Sequence, residues 1–178
     1  MTRAAIVAVV AFVPMLAEAR RSRRHASALR AQGAIEPAGD VYHAMQIAYP
    51  GCFAAMTAEA WARETPLGGS FVAGAVVFTL AKALKYWAIA TLGSRWTFRV
   101  LVPPGQPLIA SGPYRLMRHP NYLGVAGEIA GAAMMADARI AGVISLLVFG
   151  GLLGVRIRVE ERALGDRQGL TAPPGQPL

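Results

Sequence analysis

Residues 122–136, YLGVAGEIAGAAMMA, and residues 140–155, IAGVISLLVFGGLLGV, decide the architecture, because all that separates them is Asp137-Ala138-Arg139. Two apolar runs of helical length joined by so short a polar break predict a tight antiparallel helical hairpin. Each run covers about 23 Å at 1.5 Å per residue, so each needs its flanking residues to cross a hydrocarbon core of roughly 30 Å.

Working outward, three more apolar runs lie upstream, at residues 4–17, 41–61 and 67–92. The 67–92 run is about 39 Å long as a helix and is expected to tilt or to project beyond the core. Pro50 interrupts the 41–61 run, which a membrane helix tolerates where neighbours satisfy the freed carbonyl; Tyr42, His43, Gln46 and Tyr49 on that run are expected to face other helices. Arg3, the 4–17 run and Ala17-Glu18-Ala19 imitate a secretory signal with its cleavage site, but Arg20, Arg21, Arg23 and Arg24 follow at once. That cluster favours an uncleaved anchor with its N-terminus outside. Residues 26–40 read as a loop, with Gly33, Pro37 and Gly39, closing on Asp40 as a helix N-cap. Lys82 and Lys85, beside Tyr86 and Trp87, read first as interfacial anchors whose ammonium groups snorkel to water and second as functional residues.

Composition agrees with a bilayer. Hydrophobic residues make up 54% of the 178 and charged ones only 16%, and the mean hydropathy is +0.40. The net charge of +8 sits between apolar runs rather than along one polar face, which sets nucleic-acid binding aside. Five spans counted from an outside N-terminus put the arginine-rich segments 20–30, 95–118 and 156–167 in the cytoplasm and leave charge-balanced connections on the other side. The fold class is therefore all-α, a multi-pass integral membrane protein of about five transmembrane helices ending in the hairpin. Residues 1–66 form the N-terminal helices and basic loop, 67–167 the core, and 168–178 a flexible tail. The one cysteine, Cys52, excludes an intramolecular disulfide framework and reads as a small buried apolar residue, and His25, His43 and His119 show no metal-ligand spacing.

The polar chemistry collects just before the hairpin, in Ser111-Gly112-Pro113-Tyr114-Arg115-Leu116-Met117-Arg118-His119-Pro120-Asn121-Tyr122-Leu123-Gly124. Pro113 and Pro120 push the residues before them toward extended backbone, and Pro120 suits a first helical turn. The unpaired N–H groups of that helix start, beside Arg115, Arg118 and Tyr122, make a receptor for an anionic or carbonyl-rich ligand. A second cluster, Arg156-Ile157-Arg158-Val159-Glu160-Glu161-Arg162, follows the hairpin and sets Arg156 and Glu160 at i,i+4. A short hairpin brings both clusters to one end of the molecule.

Gly112-Pro113-Tyr114, then Arg118-His119-Pro120-Asn121-Tyr122-Leu123-Gly124, an apolar hairpin, and Arg156 with Glu160-Glu161 resemble the isoprenylcysteine carboxyl methyltransferase family over roughly residues 67–167. Residues 92–100 are further similar to bacterial members associated with alkylpyrone or alkylresorcinol O-methylation. The resemblance implies an S-adenosylmethionine-dependent methyltransferase of the cell membrane. Its site faces the cytoplasm and its acceptor is lipophilic, methylated on a carboxyl or hydroxyl oxygen. It assigns cofactor contacts to Gln106, Pro107, Leu108, Ile109, Tyr114, His119, Pro120, Asn121 and Tyr122, with Glu160 holding the amino group. Arg156, together with Arg118 and Asn121, falls on the acceptor side. The chemistry itself needs alignment and a dry pocket, with no metal required. The partners implied are the acceptor and the bilayer, with no obligate protein partner.

Glu128 is an ionisable group inside an apolar run, seven residues past Asn121 and on nearly the same helix face. It reads either as a base for a hydroxyl acceptor or as an interhelical hydrogen-bonding acid. The rival for the whole chain is a non-enzymatic membrane protein, a transporter subunit or assembly factor, whose arginine-rich turns touch lipid. The segment Pro103-Pro104-Gly105-Gln106-Pro107-Leu108 recurs at 173–178, a repeat with no physical account beyond its turn-forming composition.

Overall fold

The computed structural model describes residues 2–104, 107 and 109–171, with side chains between residues 3 and 163. Five helices carry the chain: α1 (Thr2–Ala31), α2 (Tyr42–Arg63), α3 (Gly69–Leu92), α4 (Pro120–Ala136) and α5 (Ala141–Thr171). Among the described residues the extended pairing is confined to a bridge between Ile35 and Val102. The all-α expectation and the C-terminal hairpin both hold.

The first helix departs from expectation. It does not stop with its apolar run at Glu18 but continues to Ala31, so the arginine cluster lies on a helix and the loop shrinks to residues 32–41. Arginine and alanine are strong helix formers, and the segment holds neither glycine nor proline before Gly33, which takes φ +80 and ends the rise. Glu64 and Asp137 end α2 and α4 in left-handed conformations, and Pro120 occupies the first turn of α4. At the other end of the chain α5 runs through Thr171, past Gly165 and into the segment read as a tail; residues 172–178 lie outside the described chain.

Two ends of the bundle can be told apart by their polar contacts. At one, Arg3 donates to Thr65 Oγ1 at 2.8 Å and to the Pro66 carbonyl at 2.7 Å, and Arg63 lies 3.8 Å from Asp137. There Glu59 of α2 accepts hydrogen bonds from the Ile140 and Ala141 amides at the start of α5, acting as an N-cap supplied by a neighbouring helix. Glu59→Ala is expected to lower unfolding free energy by about 1–2 kcal/mol, the usual size of a lost cap. Denaturant titration in micelles checks this, and an unmoved midpoint refutes it.

The tightest helix pair is α3 with α4, where glycine permits the approach. A Cβ on Gly131 would stand 2.5 Å from the Phe78 amide nitrogen, and one on Gly124 2.9 Å from Lys85 Cβ. Small residues at such a crossing let backbones touch, which is how helices associate where surrounding lipid removes the hydrophobic drive. Val7, Phe53, Met56, Ile129 and Phe149 fill the core from α1, α2, α4 and α5, with Cys52 buried beside them as expected. Outward, Val13, Ile47, Val72, Leu80, Ile144 and Leu147 are exposed, an apolar coat far beyond what a soluble monomer shows. Two stretches, Gly69–Arg95 and Ala141–Ala163, are long and apolar enough to cross a bilayer by length and composition alone.

Lys85 overturns the snorkelling expectation. It is 1% exposed and lies 2.6 Å from Glu18 Oε2 and 3.2 Å from Glu128 Oε2. Lys82 sits 3.1 Å from Glu18 Oε1 and 3.0 Å from Glu128 Oε1, and Tyr49 donates its hydroxyl to Glu128. Two acids and two lysines thus form a charge-neutral square inside the bundle, tying α1 to α3 and α4, with Tyr49 joining from α2. Burial of these charges is tolerable because each is paired. Of the polar residues expected to face inward on α2, Tyr49 does; His43 and Gln46 are exposed.

Candidate active site

At the opposite end of the bundle, the start of α4 meets the continuation of α5. His119 is the residue before α4, and its Nε2–H donates to Glu161 Oε1 at 3.2 Å while its ring stacks on Tyr122 with centroids 5.5 Å apart. The Tyr122 hydroxyl donates to Glu160 Oε2. The two clusters on either side of the hairpin therefore meet in space, as the short Asp137-Ala138-Arg139 break predicts.

Arg156 is the hub of the site and is 3% exposed. Its Nε donates to the Tyr122 hydroxyl oxygen at 3.3 Å, Nη1 pairs with Asp40, and Nη2 donates to the Phe98 carbonyl. All three nitrogens are thus engaged within the protein. The expected i,i+4 pairing with Glu160 is replaced by a link through Tyr122, because the buried Asp40 carboxylate takes the guanidinium instead. The guanidinium plane is thus fixed by three contacts inside the protein.

Residues 32–41 and 93–102 form the wall around this hub. Asp40 accepts from the Tyr42 amide at 3.1 Å and the Val100 amide at 3.3 Å. Arg99 pairs with Glu36 at 2.7 Å, and Arg30 with Glu36 at 2.9 Å. Partial burial raises the Glu36 carboxyl, but the hydrogen bonds and charges of Arg99 and Arg30 outweigh it and hold its pKa below the usual value. The extended α1 reaches the same wall: Ser22 Oγ accepts from the Phe98 amide at 2.8 Å, and His25 Nδ1 donates to the Trp96 carbonyl at 2.8 Å. Trp96 in turn donates its indole N–H to Asn121 Oδ1 at 3.4 Å.

The 3-10 turn Gly112–Arg115 carries Tyr114 to the site edge. Gly112 has φ +57, and a Cβ there would overlap the Thr91 side chain, so glycine is required on both counts. Burial, followed by the charge of Glu160, pushes the Tyr114 phenol well above its ordinary pKa, so it stays protonated as a neutral donor.

Pro120 is buried at the first turn of α4, Pro107 accepts from Arg95 at 2.7 Å through its carbonyl, and Ile109 is half-buried on the same stretch. Gln106 and Leu108 lie outside the described residues. Arg118 is 88% exposed, with only a 3.9 Å approach to Glu161, and Arg115 is exposed as well. Glu128 does not join the site: it is 0% exposed and its oxygens face Tyr49, Lys82 and Lys85 in the square below. Asp40, Phe98 and Trp96 are the residues that sequence reasoning missed as site members. The one available signal was that the loop 32–41 holds two acids, Glu36 and Asp40, either of which could pair with an arginine from elsewhere in the chain.

Comparison with known proteins adds the last finding. The model of the isoprenylcysteine carboxyl methyltransferase family matches residues 73–166, just over half of the chain and nearly the span on which the motif resemblance rests. The uncharacterized protein YpbQ of Bacillus subtilis is 30% identical over 161 residues, covering 90% of this chain and 96% of its own. An uncharacterized protein of Haemophilus influenzae is 28% identical over 144 residues, covering 80% of this chain and 84% of its own. No solved structure matches the chain.

Proposed function

Because this chain belongs to the isoprenylcysteine carboxyl methyltransferase family, a family of membrane methyltransferases, we propose that it is the S-adenosylmethionine-dependent enzyme the motifs imply. It crosses the cell membrane five times with the site facing the cytoplasm, and it methylates a carboxyl or hydroxyl oxygen of a lipophilic acceptor such as a prenylcysteine, alkylpyrone or alkylresorcinol. The observation that carries the reading is the junction of Tyr122, Glu160 and Arg156 across the hairpin, which turns two separate charged segments into one binding corner.

The residues present fit an amino-acid-bearing cofactor. Arg156 Nε–H occupies the Tyr122 oxygen as a donor, so the phenol's own proton goes to Glu160, which accepts as a carboxylate. A carboxylate with one oxygen so held, flanked by Tyr122, the stacked His119 ring and the neutral Tyr114, suits an ammonium group through charge and aromatic faces. S-adenosylmethionine, when bound, supplies a methyl group activated on a sulfonium. What the protein's residues contribute is alignment and the exclusion of water, since methyl transfer from a cation to an anionic oxygen disperses charge. Arg118 and Arg115 are exposed beside the motif and would meet the acceptor's anionic oxygen, and the exposed apolar residues of α3 and α5 support a lipophilic acceptor arriving from the bilayer.

The test is calorimetry of S-adenosylhomocysteine on purified, folded protein in micelles, followed by product mass spectrometry with a membrane extract. Micromolar binding and a product 14 Da heavier, the mass of an added methylene, are the expected results. Folded protein that binds no cofactor product leaves the non-enzymatic rival in possession.

A further inference from the structure

We infer that Asp40, which lies outside the family-matched residues, is a positioning residue that sets the cofactor-binding carboxylate Glu160 through Arg156 and Tyr122. The inference rests on the functional reading above and deepens it.

The chain of hydrogen bonds runs in one direction. Asp40 pairs with Arg156 Nη1, Arg156 Nε donates to the Tyr122 oxygen, and Tyr122 donates to Glu160. Both ends of Asp40 are fixed by backbone: the amide of Tyr42 meets Oδ1 and that of Val100 meets Oδ2. A short side chain held by two amides is a rigid post, unlike the long guanidinium it holds. Arg156 has a second fixed acceptor in the Phe98 carbonyl, so its plane is set by two contacts and its remaining Nε–H is aimed at Tyr122. Arg156 thereby fills one acceptor position on the Tyr122 oxygen, and the phenol proton is directed to Glu160.

The charge balance points the same way. Arg156 and Asp40 are both about 4% exposed at their side chains, so an unpaired guanidinium would turn to another acid of the same corner. That acid is Glu160, four residues on along α5 and already joined to Arg156 through Tyr122. Without Asp40 the arginine thus competes with the ligand ammonium for the same carboxylate. Asp40 keeps Glu160 available by satisfying Arg156 from behind.

The experiment measures two ligands on full-length protein in micelles: S-adenosylhomocysteine, which carries the amino-acid portion, and 5′-methylthioadenosine, which lacks it. Asp40→Asn is expected to weaken the first about tenfold or more and leave the second within about twofold, the scale of one charge-assisted hydrogen bond. In the double mutant with Arg156→Gln the loss should be no greater than with Arg156→Gln alone, because both act on one chain. Additive losses, unchanged S-adenosylhomocysteine affinity, or equal loss of both ligands overturn the positioning role. Should Asp40→Asn fail to fold, Asp40→Glu keeps the charge and is expected to show a smaller loss of the same selective kind. Wild-type protein that binds neither ligand overturns the functional reading as well, which separates the two failures.

Discussion

Glu160→Gln is expected to weaken S-adenosylhomocysteine binding about a hundredfold, and Tyr122→Phe about tenfold, in calorimetry on protein whose unfolding midpoint is unchanged. The order follows from what each change removes. Glutamine keeps the shape and can still accept the Tyr122 proton, so the local packing survives, but the negative charge that would hold an ammonium is gone. Phenylalanine leaves that charge in place and deletes only the donor that orients it, freeing Arg156 Nε at the same time. The reversed order, Tyr122→Phe costing more than Glu160→Gln, would mean that the ligand reads the phenol and that the amino group lies elsewhere. A Glu160→Gln protein with native affinity would sink the assignment of the corner to the cofactor.

The corner was legible because its two halves are each short and each tied to the hairpin. Residues 118–122 and 156–161 stand at similar distances on either side of the Asp137-Ala138-Arg139 break, so antiparallel helices of about 1.5 Å per residue return one to the other. The back of the corner was not legible. Asp40 is 116 residues from Arg156 in the chain, and its turn context is that of an ordinary helix start. The structure uses it for both jobs, since the same carboxylate that accepts the Tyr42 amide also takes the guanidinium. Arg156 accordingly read as an isolated charge, although Asp40 and the Phe98 carbonyl hold two of its nitrogens.

The helices themselves were legible from apolar run lengths, and where the reading failed it confused the end of a greasy run with the end of a helix. Glu18 ends the run in α1 but sits mid-helix, buried at 3% exposure, because Lys82 and Lys85 of α3 wait for it 64 and 67 residues downstream. A lysine near tryptophan and tyrosine has the composition of an interfacial anchor. Only the third dimension reveals that Lys85 turns inward, where glycines on α4 let the helices close around it. Glu128 met the same fate, since one linear face of α4 holds both Asn121 and Glu128 yet the two find partners in different clusters.

Lys85→Met is expected to lower stability by about 3–5 kcal/mol, the cost of stranding a buried charge, because Glu18 and Glu128 then share only Lys82. Glu128→Gln should cost a comparable amount by leaving two lysines on Glu18. Combining Lys85→Met with Glu128→Gln restores neutrality, with Glu18 and Lys82 still paired, and is expected to recover most of the loss; replacing a buried pair together is far less costly than breaking it. Unfolding in mixed micelles measures all three, and additive losses would show that the square is not one electrostatic unit. The double mutant also decides what Glu128 does. If it folds and turns over hydroxyl and carboxyl acceptors at the wild-type rate, the acid serves the bundle alone, as its 0% exposure and its contacts with Tyr49, Lys82 and Lys85 indicate. If it folds and binds S-adenosylhomocysteine normally yet fails on hydroxyl acceptors alone, Glu128 takes the acceptor's proton, and the square must open during turnover to let it do so.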